Sequence, residues 1–195
     1  DIPLVIRHAF LAAEDADFYN HPGIDFVSIL RAAYKNVVHG KVRQGASTIT
    51  QQTVKSLLLT REKSIERKVK EAILSYRLER YLTKDEIFSI YLNEIFLGSA
   101  ACGVKAAAKM HFHKRLEDIT VAEAAFLAAL PQRPSELTSP KNRTAALMRQ
   151  RYVIEQMLKK KMITQAEFNE AERYKLKIYH YDEQTIFAAP YYSSH

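Results

Sequence analysis

Apolar side chains recur along most of this chain at intervals of three and four residues, which is the spacing of an amphipathic helix. Alternation with a period of two residues, typical of a strand, is confined to KIYHY at residues 177–181, where a short strand is predicted. The pattern therefore predicts a single all-α domain of about eight helices. Helices with clear apolar faces are predicted over residues 3–14, 26–39, 47–59, 65–82 and 140–160.

Polar residues that can cap a helix stand immediately before several helical segments. Asp25 and Ser64 are suited to the N-cap position, where a side-chain oxygen accepts a hydrogen bond from a free backbone N–H group. Ser139 followed by Pro140 predicts a further helix start. The capping-box pattern, in which glutamate follows threonine after three residues, occurs at Thr83, Thr120 and Thr164.

The composition is that of a globular protein with a basic surface. The 195 residues include 47% hydrophobic and 26% charged residues, which excludes a disordered chain. Cys102 is the only cysteine, so an internal disulfide and a metal site built on several cysteines are excluded. No apolar run approaches the roughly 20 residues needed to cross a bilayer. The net charge of +7 favours a nucleic acid, an anionic membrane surface or a phosphate-bearing substrate as partner.

The stretch AAEDADFYNHPG, residues 12–23, combines three carboxylates with two aromatic residues, a histidine and a Pro-Gly turn. A buried segment rarely carries so many charges, and a surface loop has little use for two adjacent aromatic rings. The carboxylates of Glu14, Asp15 and Asp17 are therefore candidates for acid–base chemistry. The alternative is the frayed end of the first helix, without a chemical role.

The stretch QGASTITQQTVKS, residues 44–56, is rich in small, β-branched and amide side chains that form helix interiors poorly. A helix that starts at Ser47 offers hydroxyl, amide and ammonium donors on one face, beside free backbone N–H groups at its start. Such a face is suited to an anionic group such as phosphate, whereas the alternative is an ordinary solvated face. Its members are Thr48, Gln51, Gln52 and Lys55.

The segment REKSIERKVKEA, residues 61–72, is strongly basic, and Arg67 and Glu71 are spaced within it as ion-pair partners. Taken alone, it indicates an exposed, charge-laced helix in which each pair contributes roughly a few tenths of a kcal/mol. It gains a function only if its basic face meets the faces that carry Glu14 and Lys55. Its positive charge is increased by Lys63, Lys68 and Lys70.

The order of these motifs resembles that of the peptidoglycan glycosyltransferase domain, which occurs in class A penicillin-binding proteins and in monofunctional transglycosylases. The resemblance covers roughly residues 3–175 and rests on AEDADFYNHPGID, GASTITQQTVKS, ERKVKEA, IYLNEIFLG with GVKAAAKMHF, and TVAEAAFLAALPQRPS. It implies an all-α, lysozyme-like helical domain with a smaller membrane-facing lobe, called the jaw. It also implies a glycosyltransferase domain at residues 1–175, followed at 176–195 by the start of a linker toward a transpeptidase domain.

The resemblance further implies an inverting enzyme that polymerises lipid II into a growing β-1,4 glycan chain and releases undecaprenyl pyrophosphate. Glu14 is the implied general base, and Glu71 is a second acidic residue that organises the basic groups or a divalent cation such as Mg²⁺ or Mn²⁺, whose ligands stay open. The implied location is the bacterial cell envelope, at the outer face of the cytoplasmic membrane, with an anchor outside this sequence. The implied substrate-binding residues are Asp15, Phe18, His21, Thr48, Gln52, Lys55, Lys63, Arg67 and Lys70.

The residues suit this chemistry because a pyrophosphate leaving group needs cationic stabilisation and no general acid. One carboxylate base and a cradle of Lys and Arg side chains are then sufficient. Two alternatives stay open, namely a lysozyme-like glycan hydrolase that uses Glu14 as an acid and a non-catalytic module that binds anionic membranes. Nucleic acid is not expected as a partner, because no arginine-rich stripe is interleaved with stacking aromatic residues.

Overall fold

The computed structural model describes residues 2–39, 47–59 and 64–179. Within these ranges the chain forms ten α-helices joined by loops and short turns of 3₁₀ helix. The one β-type pairing in the described ranges is an isolated bridge between Phe96 and Cys102, so the all-α prediction is confirmed. The helices are α1 (Leu4–Glu14), α2 (Phe26–His39), α3 (Ile49–Leu58), α4 (Ile65–Leu78), α5 (Lys84–Glu94), α6 (Val104–Phe112), α7 (Val121–Ala129), α8 (Pro134–Leu137), α9 (Arg143–Lys159) and α10 (Gln165–Arg173).

Local capping confirms most of the predicted helix starts. Asp25 Oδ1 accepts a hydrogen bond of 2.8 Å from the backbone N–H group of Ser28 in α2. Ser64 Oγ accepts one of 3.0 Å from the backbone N–H group of Arg67 in α4. Complete capping boxes form at Thr83, Thr120 and Thr164. These caps could be predicted because a capping side chain reaches backbone groups only two or three residues ahead.

The start of α3 differs from the predicted one. The N-cap is Thr48 and not Ser47, because the Thr48 hydroxyl accepts a hydrogen bond from the Gln51 N–H group at 3.1 Å. The Gln51 side chain in turn accepts a hydrogen bond from the Thr48 N–H group at 3.0 Å. This reciprocal pair buries both side chains and removes Gln51 from the face on which it was predicted.

Two further helix boundaries also differ from the prediction. The helix α4 ends at Leu78, before the predicted end at residue 82, because the chain turns there to begin α5. Ser139 makes no side-chain cap, and Pro140–Asn142 forms a separate turn of 3₁₀ helix. The long helix α9 therefore begins only at Arg143.

The strand predicted for KIYHY is absent from residues 177–179, the part of that segment which the structure describes. The Tyr179 N–H group donates instead to the His111 carbonyl oxygen at the end of α6, at 2.9 Å. Leu176 is buried, and the Tyr179 ring stacks on His113 with 3.9 Å between ring centroids. The first residues of the predicted linker thus pack against the helical domain, and residues 180–195 lie outside the described ranges.

The helix α7 forms the centre of the core. Every residue from Ala122 to Ala129 is buried, and Glu123 is the one charged residue among them. A helix that is apolar on nearly all sides is stable only when other elements surround it. Both α1 and α9 pack against α7 and against each other, so the core fixes the C-terminal end of α1.

The helices α3, α4 and α5 form a second packed group, in which α3 contacts both of the others. Around this group, α2, the end of α3 and one side of α4 expose many large apolar side chains, a feature that is uncommon on soluble monomers. Within the described ranges, no helix combines the length and the apolar character that spanning a membrane would require. The exposed apolar residues include Phe26, Val27, Leu30, Tyr34, Leu57, Leu58, Ile65, Val69, Ile73 and Tyr76.

Candidate active site

Glu14 is the last residue of α1 and lies at the lip of a cleft. Its Oε2 atom accepts a hydrogen bond of 2.8 Å from Gln52 Nε2 of α3. Burial raises the pKa of Glu14 and outweighs the lowering effects of the Gln52 hydrogen bond and of the charges of Arg149 and Lys55. A carboxyl group with a raised pKa and one hydrogen bond is suited to proton transfer.

Asp15 has a different environment from its neighbour Glu14, because its carboxylate is buried and fully engaged. Both of its oxygens lie 3.0 Å from His21 Nε2, and Oδ2 also accepts a hydrogen bond of 3.0 Å from the Ile49 N–H group. Ile49 is the first residue of α3, where a negative charge is favoured by the helix dipole. Asp15 therefore ties the loop after α1 to the start of α3 and aligns Gln52 with Glu14.

Two backbone N–H groups at the start of α3 are already hydrogen-bonded within the protein, which corrects the prediction that the groups there are free. Asp15 Oδ2 accepts a hydrogen bond from the Ile49 N–H group, and Thr48 Oγ1 accepts one from the Gln51 N–H group. The Thr48 hydroxyl also donates to the Gly23 carbonyl oxygen at 2.6 Å. Through its hydroxyl group, Thr48 thus links the stretch at residues 12–23 to the start of α3.

Phe18 anchors the loop after α1 in the core. Its ring is fully buried and packs against Phe88, at 5.6 Å between centroids, and against His21, at 6.2 Å. Lys84 Nζ lies 4.3 Å above the Phe18 ring and donates to the His21 carbonyl oxygen at 2.6 Å. The ring and the lysine together fix the conformation in which His21 reaches Asp15.

Lys84 belongs to a network of polar side chains that was not predicted. Its ammonium group also contacts Glu79 Oε1 at 2.7 Å, and the same oxygen accepts a hydrogen bond of 2.5 Å from the Thr50 hydroxyl. The network joins α3, the end of α4, the start of α5 and the loop at His21. In the sequence, Glu79 and Lys84 resemble ordinary surface charges, so no local pattern distinguishes them.

Gly23 allows the end of the stretch at residues 12–23 to pack closely against α4. Its φ is +82°, and a Cβ atom at this position would lie 2.8 Å from the Ser75 carbonyl oxygen of α4. A side chain at residue 23 would therefore force the loop away from α4, in addition to the strain of a positive φ. The close approach places the loop that follows Glu14 beside the helix that carries Arg67 and Glu71.

The basic residues of α4 are arranged differently from the prediction. Glu71 is only 2% exposed, and its ion-pair partner is Lys68, not Arg67. Lys68 Nζ also donates to Ser47 Oγ just before α3, at 3.1 Å. Arg67 Nε is buried and has no hydrogen-bond partner within the described ranges. Residues three and four positions apart share a helix face, so the spacing alone could not decide which cation pairs with Glu71.

The remaining predicted cations have separate positions. Lys55 is exposed on α3, three residues after Gln52 and on the same helix face. Lys70 pairs with Glu66 at 2.6 Å, and both side chains are largely exposed. Lys63 lies outside the described residues. The structure therefore brings Glu14, Gln52 and Lys55 together through α3, whereas Lys70 belongs to a solvated pair.

The cleft continues from Glu14 toward α9, a side of the site that the motifs did not indicate. A cavity of 170 Å³ is lined by Glu14, by Tyr152 and Gln156 of α9, and by Lys160 immediately after α9. Arg149, one turn before Tyr152, acts electrostatically on the Glu14 carboxyl group. No sequence motif singles out the basic residues of this helix, and the packing of α9 against α1 brings the helix to the side of Glu14.

The carboxylates near the cleft do not form a ready metal site. Glu71 is paired with Lys68, and Asp15 is engaged by His21 and Ile49. Across the described ranges, no group of three or more His, Cys, Asp and Glu side chains is arranged to hold a metal ion. The side chains present therefore do not match the donor set of a protein-bound Mg²⁺ or Mn²⁺ ion, which prefers several oxygen ligands.

Comparison with known proteins gives a consistent set of relatives. The family model described as Transglycosylase matches residues 1–158. Penicillin-binding protein 1A of Rickettsia typhi (strain ATCC VR-144 / Wilmington) is 49% identical over 174 residues, which cover 88% of this chain and 22% of that protein. Penicillin-binding protein 1A of Neisseria gonorrhoeae is 43% identical over 193 residues, or 97% of this chain and 24% of that protein.

Among solved structures, the crystal structure of penicillin-binding protein 1A from Haemophilus influenzae matches with 27% sequence identity and a TM-score of 0.47. The match covers 69% of this chain and 17% of that one. The chain thus spans about a quarter of the length of the curated relatives that it matches.

Proposed function

The chain belongs to the transglycosylase family, and from this premise we propose that it polymerises lipid II into β-1,4-linked glycan and releases undecaprenyl pyrophosphate. The resemblance noted in the sequence is confirmed at the level of the family, and the chain is a glycosyltransferase. The substrate, the leaving group and the roles of single residues are the content of the proposal. One observation carries it: α3 supplies both the hydrogen bond that holds Glu14 and the exposed ammonium group of Lys55.

Glu14 is the proposed general base, which takes the proton from the 4-hydroxyl group of the acceptor sugar as that oxygen attacks the donor. Its raised pKa makes it a stronger base than an exposed glutamate. Its hydrogen bond to Gln52 holds the carboxylate in one orientation and leaves Oε1 free to accept a proton. Asp15, Phe18 and His21 support this arrangement, because they fix the loop that follows α1.

The proposed pyrophosphate site consists of Lys55, Arg67 and Lys68. Arg67 has a buried donor nitrogen without a partner in the described ranges, a group that costs free energy until a ligand satisfies it. Glu71 orients Lys68 through their ion pair, which is the organising role proposed for this second acid. The departing pyrophosphate is stabilised by these charges, so the reaction requires no general acid.

The supporting residues have smaller parts in this proposal. Thr48 positions the start of α3, and Gln52 holds the base. Lys70 adds long-range positive charge from its exposed pair with Glu66, and Lys63 does so from the segment outside the described ranges. A divalent cation is proposed only as an accessory to the pyrophosphate, because the side chains do not form its donor set.

A lysozyme-like hydrolase is less consistent with this site. A retaining or inverting glycosidase needs a second carboxyl group free to act as nucleophile or base. Asp15 is occupied by His21 and the α3 backbone, and Glu71 is occupied by Lys68. With both of these acids engaged in structural contacts, the arrangement favours one base and a group of cations.

We place the domain in the bacterial cell envelope, at the outer face of the cytoplasmic membrane, where a lipid-linked substrate is accessible. The exposed apolar side chains of α2, α3 and α4 are suited to the membrane surface, and nearby lysine and arginine residues are suited to anionic headgroups. This surface corresponds to the jaw lobe of the proposal. The partners are then lipid II, the growing glycan chain and a transpeptidase domain that follows this one in the longer protein.

The decisive experiment is a lipid II polymerisation assay on the wild type and Glu14→Gln, each with and without Mg²⁺. We expect glycan synthesis by the wild type and a loss of at least about 100-fold in Glu14→Gln. The control is Glu94→Gln, which changes an exposed glutamate at the end of α5 and should keep full activity. An active and folded Glu14→Gln variant would contradict the proposal, and release of soluble fragments from purified peptidoglycan would favour the hydrolase.

A further inference from the structure

Arg149 of α9 is an unexplained cation next to the proposed active site. Its Nε atom is buried and makes no hydrogen bond within the described ranges. Its guanidinium group lies 4.7 Å from the centre of the Tyr152 ring, which restricts its position. Tyr152 in turn lines the same cavity as Glu14. Arg149 is thus held against a residue of the cleft wall, and its Nε donor makes no hydrogen bond within the described ranges.

The ionisation of Glu14 depends on burial and on groups from several elements of the fold. Asp15 follows it in the chain and disfavours its ionised form, whereas Gln52 of α3 donates a hydrogen bond. Tyr91 of α5 is fully buried and is itself influenced by Glu14. Burial and the two nearby carboxylates raise the pKa of Tyr91 well above its usual value, so its phenol stays neutral. The positive charges that lower the pKa of Glu14 most are those of Arg149 and then Lys55, whereas Arg31 and Lys160 also line the cavity.

Lys55 and Arg149 reach Glu14 from different helices and in different surroundings. Lys55 is exposed on α3, where solvent screens its charge. Under the proposed function, a bound pyrophosphate would also neutralise Lys55. Arg149 is partly buried on α9, against which α1 packs. Its charge is less screened, and it remains uncompensated when the donor substrate occupies the site formed by α3 and α4.

We propose that Arg149 is a positioning residue that keeps Glu14 ionised in the donor-bound cleft, so that Glu14 acts as a base while Lys55 serves the leaving group. This inference rests on the proposed function for its catalytic meaning. It assigns two roles to four cations: Lys55, Arg67 and Lys68 stabilise the pyrophosphate, and Arg149 stabilises the base.

The first test is the pH profile of polymerisation in the wild type, Arg149→Gln and Arg149→Lys. Without the positive charge, the pKa of Glu14 rises further, so the acidic limb of kcat should move to higher pH. Arg149→Gln should therefore lose about tenfold or more at the acidic end and recover as the pH rises. Arg149→Lys should restore most of the wild-type profile, which a purely steric role would not predict.

The matched control is Arg151→Gln on the same helix. Arg151 is exposed and pairs with Glu155 at 3.3 Å and with Glu172 at 3.1 Å, away from the cleft. Its loss should leave the acidic limb unchanged. An equal shift in Arg149→Gln and Arg151→Gln would overturn the proposal, because it would reflect only the net charge of the domain.

A second test does not depend on lipid II. In protein labelled with ¹³C at the glutamate carboxyl carbons, the signal of Glu14 is assigned by its absence in Glu14→Gln and followed against pH. We expect Glu14 to titrate at higher pH in Arg149→Gln than in the wild type. An unchanged titration would overturn the proposal even if polymerisation is observed. A clear shift together with an inactive wild type would reject the proposed function and retain the electrostatic role of Arg149.

Two further variants keep this test decisive if Arg149→Gln fails to fold. Arg149→Met removes the charge without placing an amide against the buried surface around Nε. Tyr152→Leu keeps the charge and removes the ring that holds it, and it should move the Glu14 titration in the same direction by a smaller amount. If Arg149→Met and Tyr152→Leu fold and neither of them alters the titration of Glu14, the proposal is wrong.

Discussion

Glu14 and Glu123 are both glutamates near a helix end, yet their environments are opposite. Glu14 is the last residue of α1, where the helix dipole disfavours a negative charge, and its side chain accepts a hydrogen bond from Gln52. Glu123 is in the first turn of α7, where the dipole favours the charge, and it is only 2% exposed. The two residues show how the surroundings of a carboxyl group decide whether it can react.

The hydrogen bonds of Glu123 explain the difference. Its carboxylate accepts from the Thr120 N–H group at 2.9 Å, from Lys114 at 3.0 Å and from the Tyr174 hydroxyl at 2.9 Å. Burial alone would raise the pKa of Glu123, but these donors outweigh it and the pKa is lowered. At Glu14 the donors are too few, so burial prevails and the pKa is raised. A carboxylate that accepts several hydrogen bonds stabilises the fold, and one that accepts few remains available for chemistry.

The largest expected effect is the loss of stability in Glu123→Ala. Removal of the carboxylate leaves Lys114, the Tyr174 hydroxyl and the α7 N-terminus without their acceptor. We expect the free energy of unfolding to fall by about 3 kcal/mol, measured by urea denaturation. Glu117→Ala, which changes an exposed glutamate nearby, is the control. Equal effects in both variants would show that Glu123 does not anchor the fold.

The next effect is expected for Asp15→Ala, because Asp15 is saturated in the same way as Glu123. The substitution removes the contacts to His21 and to the Ile49 N–H group. We expect about 2 kcal/mol lower stability and at least about tenfold lower polymerisation, because the start of α3 is no longer fixed. Thermal denaturation of Asp15→Ala beside Asp17→Ala, an exposed neighbour, measures the first effect. Equal melting temperatures would contradict the structural role of Asp15.

The pH dependence of stability should separate the two glutamates. The lowered pKa of Glu123 contributes stability above its unfolded pKa of about 4.3, and this contribution is lost as the pH falls through the folded pKa. The raised pKa of Glu14 acts in the opposite direction. The free energy of unfolding falls as the pH rises from the pKa of Glu14 in the unfolded chain to its higher pKa in the folded protein.

Glu14→Gln should therefore be more stable than the wild type at neutral pH, by about 1 kcal/mol, although it is inactive. Glu123→Gln should flatten the decline of the melting temperature in acid. Melting curves between about pH 3 and pH 8 test both statements. A Glu14→Gln variant that is less stable than the wild type at neutral pH would contradict the claim that the ionised Glu14 side chain, unlike that of Glu123, destabilises the fold.

A smaller effect is expected for Gln52→Met, which removes the hydrogen bond of Glu14 and keeps a good helix former. The pKa of Glu14 should rise further, so the acidic limb of the polymerisation profile should move to higher pH. Stability should change by less than about 1 kcal/mol, because the bond is partly exposed. Gln165→Met on the surface of α10 should leave the profile in place. If Gln52→Met also leaves it in place, the bond does not tune the base.

The smallest effect is expected for Lys70→Gln, which breaks the exposed pair with Glu66. The free energy of unfolding should change by less than about 0.5 kcal/mol, as is usual for such pairs. Because Lys70 contributes only long-range charge in the proposal, polymerisation should fall far less than in Arg67→Gln, its matched variant on the same helix. Assays of both at physiological ionic strength test this order, and a larger loss in Lys70→Gln would require a revised pyrophosphate site.

The all-α class, most helix starts and the position of Glu14 at a helix end could be predicted from sequence. Each depends on residues within about four positions of one another, such as the Thr120 capping box. The predictions were wrong where a local pattern allowed two outcomes. The helix predicted to start at Ser47 starts at Ile49 with Thr48 as its N-cap, and Lys68 is the partner of Glu71 in place of Arg67.

The sequence by itself thus determined most of the helices and caps, and the motifs that hold Glu14, Lys55 and Arg67. The tertiary structure decided that Asp15 accepts a hydrogen bond from the first N–H group of α3 and that α9 places Arg149 where its charge acts on Glu14. The physical reason is distance along the chain. Local hydrogen bonds form between residues a few positions apart, whereas these contacts depend on how α1, α3 and α9 pack in the folded domain.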